Sequence, residues 1–249
     1  MEEKSPVFPS GSLGSGSNAL VIPPVGLCTP FQRASKRSLD VTIALAALVL
    51  LSPLLLIIAI LIWGGDRKDP VFRQTRTGRH GATFRIYKFR TMRVLEDGAV
   101  VQQATRDDAR VTTIGRVLRR TSLDELPQLI NVLKGDMSLV GPRPHAVAHD
   151  EFYGREILSY QHRFATQPGL TGWAQINGSR GETPTIDHMR RRIVLDLWYI
   201  ENQSLALDVS IIVRTAWIEL TRRANAYSPP GSAGACACAG SRRGSGGSS

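Results

Sequence analysis

Residues 41–63 read Val-Thr-Ile-Ala-Leu-Ala-Ala-Leu-Val-Leu-Leu-Ser-Pro-Leu-Leu-Leu-Ile-Ile-Ala-Ile-Leu-Ile-Trp, a run without a single charge. About twenty such residues is the length that crosses the hydrocarbon core of a bilayer. The run is too long for a signal peptide and follows some forty residues of chain, so it belongs to the mature protein. Two features argue against a simple span. Pro53 sits near its middle, where it removes a backbone hydrogen bond, and Ser52 before it is pushed from helical geometry. Basic residues also flank both sides: Arg33, Lys36 and Arg37 before, Arg67, Lys68, Arg73, Arg76 and Arg79 after. Because Lys and Arg collect on the cytoplasmic side, a single crossing would strand one of these clusters outside. A helix-break-helix hairpin turning at Ser52-Pro53, entering and leaving by one face, satisfies both constraints. The alternative is a kinked spanning helix, since proline is tolerated in such helices.

Outward from this run, the 249 residues divide into four parts. Residues 1–32 are rich in Ser, Gly and Pro without apolar periodicity and read as a disordered leader; 228–249 form a similar tail. The hairpin occupies 33–65, and 66–227 holds everything else with a pattern. The net charge is +10, which calls for an anionic partner: nucleic acid, lipid surface or phosphorylated substrate. Cys28, Cys236 and Cys238 lie in the two low-complexity ends, match no zinc or thioredoxin spacing, and fit a reducing compartment.

Within 66–227, Asp69–Arg73 and Ala82–Arg90 alternate apolar and basic residues around Gly78 and Gly81, the pattern of a β-hairpin with one basic face. Helices are expected over 113–120, over 123–133 with Gly135 as the stop, and over 150–164, 187–201 and 206–222. Gly141-Pro142-Arg143-Pro144 and Pro168–Trp173 are expected to be loops. Trp173, Trp198, Tyr199 and Trp217, aromatics with polar tips, place the last two helices at a membrane interface or in an ordinary core. The fold expected is therefore α+β and mostly helical: a re-entrant membrane hairpin plus an interface-associated catalytic domain with a small β-hairpin.

The densest functional stretch is Arg119-Arg120-Thr121-Ser122-Leu123-Asp124-Glu125-Leu126-Pro127-Gln128. Ser122 followed by Glu125 reads as a capping box, with acids complementing the helix dipole. That account leaves Arg119, Arg120 and the Arg143 of the Pro-flanked loop unexplained. A helix start, arginines and a carboxylate pair also make a phosphate site. Its carboxylates would repel phosphate unless a divalent cation bridged them, and Mg²⁺ is the usual choice. His145 and His149 lie four apart, but the Glu of the common zinc-hydrolase motif is missing, so they read as surface or capping residues.

The strings Lys88-Phe89-Arg90-Thr91-Met92, Thr121–Gln128, Gly135–Pro144, Pro168–Gly178 and Asp196–Ile200, in this order over roughly Lys36 to Ala224, resemble the bacterial sugar transferase family. These are the monotopic polyprenyl-phosphate phosphoglycosyl transferases that begin exopolysaccharide, O-antigen and glycoprotein glycan assembly. The resemblance implies an Asp-Glu dyad at Asp124 and Glu125, with Asp124 as nucleophile toward the phosphorus beside the sugar of a UDP-sugar. It implies release of UMP, an aspartyl phosphosugar, and its capture by undecaprenyl phosphate. Phosphate binding would fall to Arg119, Lys88, Arg90 and the Gly141-Pro142-Arg143 loop, with Mg²⁺ held by Asp124 and Glu125, and Glu125 a metal ligand, proton shuttle or cap. Ser52-Pro53 would be the turning point of the re-entrant hairpin. The expected setting is the bacterial inner membrane with the catalytic domain cytoplasmic. The short form of the chain resembles exopolysaccharide-initiating members, for which galactose or glucose is the common sugar, and a chain trimmed to residues 31–227 is expected to keep activity.

Three rival functions account for less of the sequence. Nucleic-acid binding explains the charge but not the apolar run, and the basic residues lack the context of a known reader. A membrane scaffold leaves the Arg, Asp and Glu idle. A lipid-phosphate hydrolase would use similar residues but pass the intermediate to water.

Overall fold

Pro30 opens the first helix, α1 (Pro30–Asp66), in the position where its missing N–H costs nothing. Thr29 caps it: its hydroxyl accepts from the N–H of Gln32, whose side chain returns a bond to the Thr29 N–H. This computed structural model describes residues 29–93, 108–181, 183 and 185–227. The proposed leader (save its last residues), the tail and all three cysteines lie outside them.

The expected break at Ser52-Pro53 does not interrupt α1, which continues as one helix past Pro53. The reason is local. Pro53 has no N–H to give to the carbonyl of Val49, and the Ser52 hydroxyl donates to that carbonyl instead, at 2.8 Å. Only 11% of the helix's most apolar window is buried, and Leu45, Val49, Leu50, Leu56, Ile57 and Ile60 are exposed. A core helix of a water-soluble domain would hide such a face. Among the described residues it is the one helix long and apolar enough to cross a membrane.

Both ends of α1 are fastened to the same body. Near its start, Lys36 donates to Asp208 at 2.7 Å and to the Val140 carbonyl at 3.1 Å. Arg37 donates to the carbonyls of Val132 and Leu133, and Asp40 accepts from the Leu139 N–H at 3.0 Å. These two cations of the basic flank are therefore anchors inside the fold and not free surface charges. Beyond Pro53, Ile58 and Ile62 pack with Phe89 and Leu118. The stretch from Val49 to Leu54 between these anchors is mostly exposed.

The hairpin forms as expected: β1 (Val71–Thr77) pairs antiparallel with β2 (Thr83–Phe89), closed by a short 3-10 turn at Arg79–Gly81. Its basic residues are not on one face. Phe72 pairs with Lys88, Gln74 with Ile86 and Arg76 with Phe84, while Arg73 and Arg85 project from the other side. Strict alternation thus puts Lys88 on the same face as the buried Ile86.

Four elements then surround the candidate site: α2 (Thr113–Thr121), a 3-10 turn at Leu123–Glu125, α3 (Gln128–Lys134) and β3 (Ser138–Val140). The single helix expected over 123–133 is divided at Pro127, and Gly135 (φ 90°) ends α3 as expected. The helix expected over 150–164 is α4 (Val147–Glu156) followed by a 3-10 segment at Tyr160–Ala165. Within the expected 168–173 loop, β4 (Gly169–Thr171) runs parallel to β3. This pair is held by glycines: a Cβ on Gly141 would lie 2.4 Å from the Gln167 carbonyl oxygen, and one on Gly169 would lie 2.1 Å from the Gly141 nitrogen.

The chain closes with α5 (Trp173–Ile176), α6 (Ile186–Glu201) and α7 (Leu205–Tyr227). The architecture is mostly helical with two small two-stranded sheets. The main core joins Ala44 of α1, Ile86 of β2, Leu129 and Val132 of α3, and Ile211 of α7. Tyr199 belongs to that core and not to a membrane interface: it is 1% exposed, and its hydroxyl donates to Asp208 at 2.7 Å. Trp173 and Trp198 stack with ring centres 4.4 Å apart.

Candidate active site

Ser122 determines how the acidic pair is presented. It stands in the left-handed region (φ 57°), unusual for a residue with a side chain, and ends α2 instead of starting a helix. The expected capping box is therefore absent. The Ser122 hydroxyl accepts from Arg180 at 2.8 Å and donates to Glu219 at 3.3 Å, and Glu125 turns elsewhere. The reversal at Ser122 sends the chain directly into the 3-10 turn that carries Asp124 and Glu125.

Glu125 is held by two cations. Arg143 grips its carboxylate through both guanidinium NH₂ groups, one of them 3.0 Å from Oε2, and Lys88 donates to Oε1 at 2.9 Å. Burial opposes ionisation of Glu125, but the charges and hydrogen bonds of Arg143 and Lys88 outweigh it and hold the carboxyl well below the usual range. Burial likewise pulls Lys88 down, against the attraction of Glu125.

Asp124 has the opposite environment. No described residue donates a hydrogen bond to its carboxylate. Burial and then the negative charge of Glu125 push it up to about 6, against the attraction of Lys88, Arg119 and Arg143. Three cations face two carboxylates here, so the cluster keeps one positive charge in excess when both acids are ionised. Arg119 is positioned by a 2.9 Å bond from its Nε to the Thr91 hydroxyl.

The structure thus brings together Asp124, Glu125, Lys88, Arg119 and Arg143. Arg90 follows β2, where its N–H closes on the Pro70 carbonyl at 2.8 Å, and is not among the main charges acting on Asp124. Gly141 and Pro142 are buried behind Arg143, where their backbone joins β4: Gly141 N–H donates to Thr171 and Pro142 accepts from Gly169, both at 2.9 Å. Their part in the site is to place Arg143.

Behind that loop lies a buried network that sequence reading did not find. Arg163, 3% exposed, donates to the Arg143 carbonyl at 2.6 Å and to Asp196 at 3.0 Å. Its other NH₂ group donates to His145 Nδ1 at 2.6 Å, and Tyr160 donates to Asp150. His145 is accordingly a buried residue and not the surface or capping histidine expected. Burial first, then the charges of Arg163, Arg192 and other arginines, hold it well below the usual histidine value. Asn131 ties β2 to α3, accepting from Tyr87 N–H at 3.0 Å and donating to the Arg85 carbonyl at 2.7 Å.

A divalent cation would find one open protein ligand in Asp124. Glu125 offers about four lone-pair positions and uses three on its cation partners, leaving one. Among the described residues no group of three or more His, Cys, Asp or Glu converges. This donor set fits a Mg²⁺ that takes most of its ligands from substrate phosphates and water.

Comparison with known proteins agrees with this geometry. The sequence model described as bacterial sugar transferase matches residues 31–222. A UDP-glucose:undecaprenyl-phosphate glucose-1-phosphate transferase of Caulobacter vibrioides is 49% identical over 219 residues, covering 86% of this chain and 80% of that protein. The protein of the same name from Escherichia coli is 50% identical over 185 residues, 74% of this chain but 40% of its own length. A UDP-N-acetylgalactosamine-undecaprenyl-phosphate N-acetylgalactosaminephosphotransferase of Aeromonas hydrophila is 42% identical over 195 residues, 78% of this chain and 46% of that protein. With the match running through both the apolar helix and the acidic turn, this chain belongs to the bacterial sugar transferase family.

Proposed function

We propose that the protein transfers glucose 1-phosphate from UDP-glucose to undecaprenyl phosphate, releasing UMP, as the first step of exopolysaccharide assembly. The observation that carries the reading is the contrast within one turn. Asp124 has an open carboxylate, while Glu125, Lys88, Arg119 and Arg143 around it are held in place by one another or by the fold. Glucose is preferred to galactose because it is the sugar in the names of the Caulobacter and Escherichia relatives.

In the first displacement an Asp124 oxygen attacks the phosphorus that bears the sugar. The bond from that phosphorus to the bridging oxygen breaks, and UMP leaves with the electron pair. In the second, an oxygen of undecaprenyl phosphate attacks the same phosphorus and Asp124 departs, restored. Dividing the transfer in this way lets a water-soluble donor and a lipid acceptor use one site in turn. Arg143, a planar fork of donors, and Lys88 with Arg119 would take the phosphate oxygens as charge builds on them. Mg²⁺, when bound at Asp124, Glu125 and the diphosphate, would supply further neutralisation of the leaving phosphate.

The membrane placement we infer is that α1, bent at Ser52-Pro53 without a break in the helix, enters and leaves the inner membrane by its cytoplasmic face. Its support is that both ends of α1 pack on one body, through Lys36 and Asp40 at one end and Ile58 and Ile62 at the other. Val209, Val213, Trp217 and Leu220 of α7, spaced along one face and exposed, suit an adjoining contact with the lipid surface.

The decisive experiment is UMP release from UDP-glucose by membranes carrying the protein, with Mg²⁺ and undecaprenyl phosphate, wild type beside Asp124→Asn. UMP together with lipid-bound phosphosugar from wild type alone supports the reading. Free glucose 1-phosphate in place of the labelled lipid would make it a hydrolase, and no UMP from inserted protein would end the transferase reading.

A further inference from the structure

Next to Glu125, between the acidic turn, the β3–β4 pair and α7, lies a cavity of about 210 Å³. We propose that it seats the hexosyl ring of the donor, with Gln175 and the Arg180–Glu219 pair as the groups that read its hydroxyls. The inference rests on the transferase reading above and goes beyond it by assigning the sugar a place.

The size of the cavity limits its occupant. A pocket for a whole drug-sized ligand takes about 300–1,000 Å³. This one is smaller, suited to a single ring and not to a complete nucleotide-sugar. Its position is right for that ring, since Glu125 lines it and Asp124, which attacks the adjoining phosphorus, is the preceding residue.

The chemistry of the wall then chooses among occupants. Gln175 lines the cavity, and its carboxamide oxygen is itself buried with no hydrogen-bond partner among the described residues, a state that costs about 1–3 kcal/mol and that a turn of the side chain toward a ligand donor would relieve. An isoprenoid chain has no donor, and neither has an ionised phosphate. A sugar hydroxyl has one. Leu139, Leu170 and Ile212 supply apolar lining, and among the polar lining residues Arg180 pairs with Glu219 and both bond the Ser122 hydroxyl. A pyranose carries both matching surfaces, C–H faces for the leucines and hydroxyls for the amide and the ion pair.

The link to catalysis is Ser122. It joins Arg180 and Glu219 to the left-handed reversal that presents Asp124, so groups touching the sugar also touch the turn that holds the nucleophile.

The test uses the full chain in membranes or lipid nanoparticles, with thermal melting to verify folding. Wild type is given UDP-glucose and its four monodeoxy analogues at positions 2, 3, 4 and 6. At least one analogue should lose about tenfold in kcat/KM, the worth of one hydrogen bond to a buried acceptor. Gln175→Met should raise KM for UDP-glucose about tenfold, with inhibition by UMP and KM for undecaprenyl phosphate changed less than about twofold. The sensitive analogue should suffer no further loss in that variant. The proposal is overturned if all four analogues react like UDP-glucose. It is also overturned if Gln175→Met weakens UMP as much as UDP-glucose, or if the change falls on undecaprenyl phosphate, which would give the cavity to the lipid. Should Gln175→Met fail to melt cooperatively, the analogue series on wild type decides alone. Absence of UMP release from any UDP-sugar by wild type would remove the transferase reading and this inference together.

Discussion

Arg143 reaches Glu125 through both of its NH₂ groups, while Asp124, one residue earlier in the same turn, receives no hydrogen bond from any described residue. Two acids adjacent in sequence are thereby given different work. The gripped one organises the cations, and the open one is free to form a bond to phosphorus.

From this division, Asp124→Asn should lower UMP release by about a thousandfold or more, as loss of a covalent nucleophile does. The melting temperature should hardly change, since Asp124 accepts no hydrogen bond that asparagine would lose. Labelled protein trapped by acid from a donor carrying ³²P beside the sugar should appear with wild type and vanish with the variant.

Glu125→Gln should behave differently, costing stability as well as rate. A cap partner would be lost mildly, but Glu125 balances two partly buried cations, Lys88 and Arg143, whose side chains are 18% and 27% exposed. Removing one charge from such a cluster costs about 3 kcal/mol. Denaturant unfolding in detergent measures it, and a shift under about 0.5 kcal/mol would mean the cluster is as weak as an ordinary surface pair.

Legibility in the sequence follows the range of the interaction. The apolar run, the Gly78–Gly81 hairpin and the helices around 187–201 and 206–222 were readable because periodicity and turn residues are local signals. The β3–β4 pair was not: each strand is three residues long, and only the approach of Gly141 to Gly169 makes them strands. At the site, Asp124, Glu125, Lys88, Arg119 and Arg143 were accessible through the family's motifs. Ser122 misled because its spacing to Glu125 matches a cap, whereas its hydroxyl is taken by partners 58 and 97 residues away. Lys36 and Arg37 read only as a cytoplasmic-side basic flank, and their anchoring role was hidden because their acceptors are about a hundred residues distant.

Gly141→Ala should damage activity through Arg143 without touching substrate. The added methyl would lie 2.4 Å from a backbone oxygen and 2.9 Å from a backbone nitrogen, neither of which can swing aside. Overpacking of this kind costs about 2 kcal/mol. Because Gly141 is two residues from Arg143, the loss in kcat/KM should exceed what the folded fraction explains. Equal losses in folded fraction and rate would confine Gly141 to a structural part.

His145 makes stability depend on pH. Its native pKa is held well below 6.5 by burial and neighbouring arginines, whereas the unfolded chain takes a proton near that value. Below about pH 6.5 the unfolded chain therefore takes a proton at His145 that the native state does not, so His145 contributes a loss of stability as pH drops through that point, opposed by Asp124, whose value of about 6 lets the native state take its proton first. In an Asp124→Asn background, melting temperature should decline between about pH 7 and 5, and adding His145→Gln should flatten the slope whatever it does to the level. An unchanged slope would assign the acid sensitivity to other groups.

Lys36 is the strongest test of whether α1 is anchored to the catalytic body. Its ammonium group joins three elements, meeting Asp208 of α7 at 2.7 Å and the Val140 carbonyl of β3 at 3.1 Å from its own place on α1. Asp208 is 1% exposed, so Lys36→Met would leave a buried carboxylate whose one remaining side-chain donor among the described residues is the Tyr199 hydroxyl. The cost should be about 3 kcal/mol, although methionine fills nearly the same volume. The double variant Lys36→Met with Asp208→Leu should recover most of that loss, because it removes the stranded charge along with its partner. Recovery would show that α1 is fixed to the body by burial and charge balance, the condition under which both ends of the apolar helix stay on one side of the membrane. If Lys36→Met melts like wild type, the Lys36–Asp208 pair contributes little, and the N-terminal end of α1 is held by Arg37 and Asp40 instead.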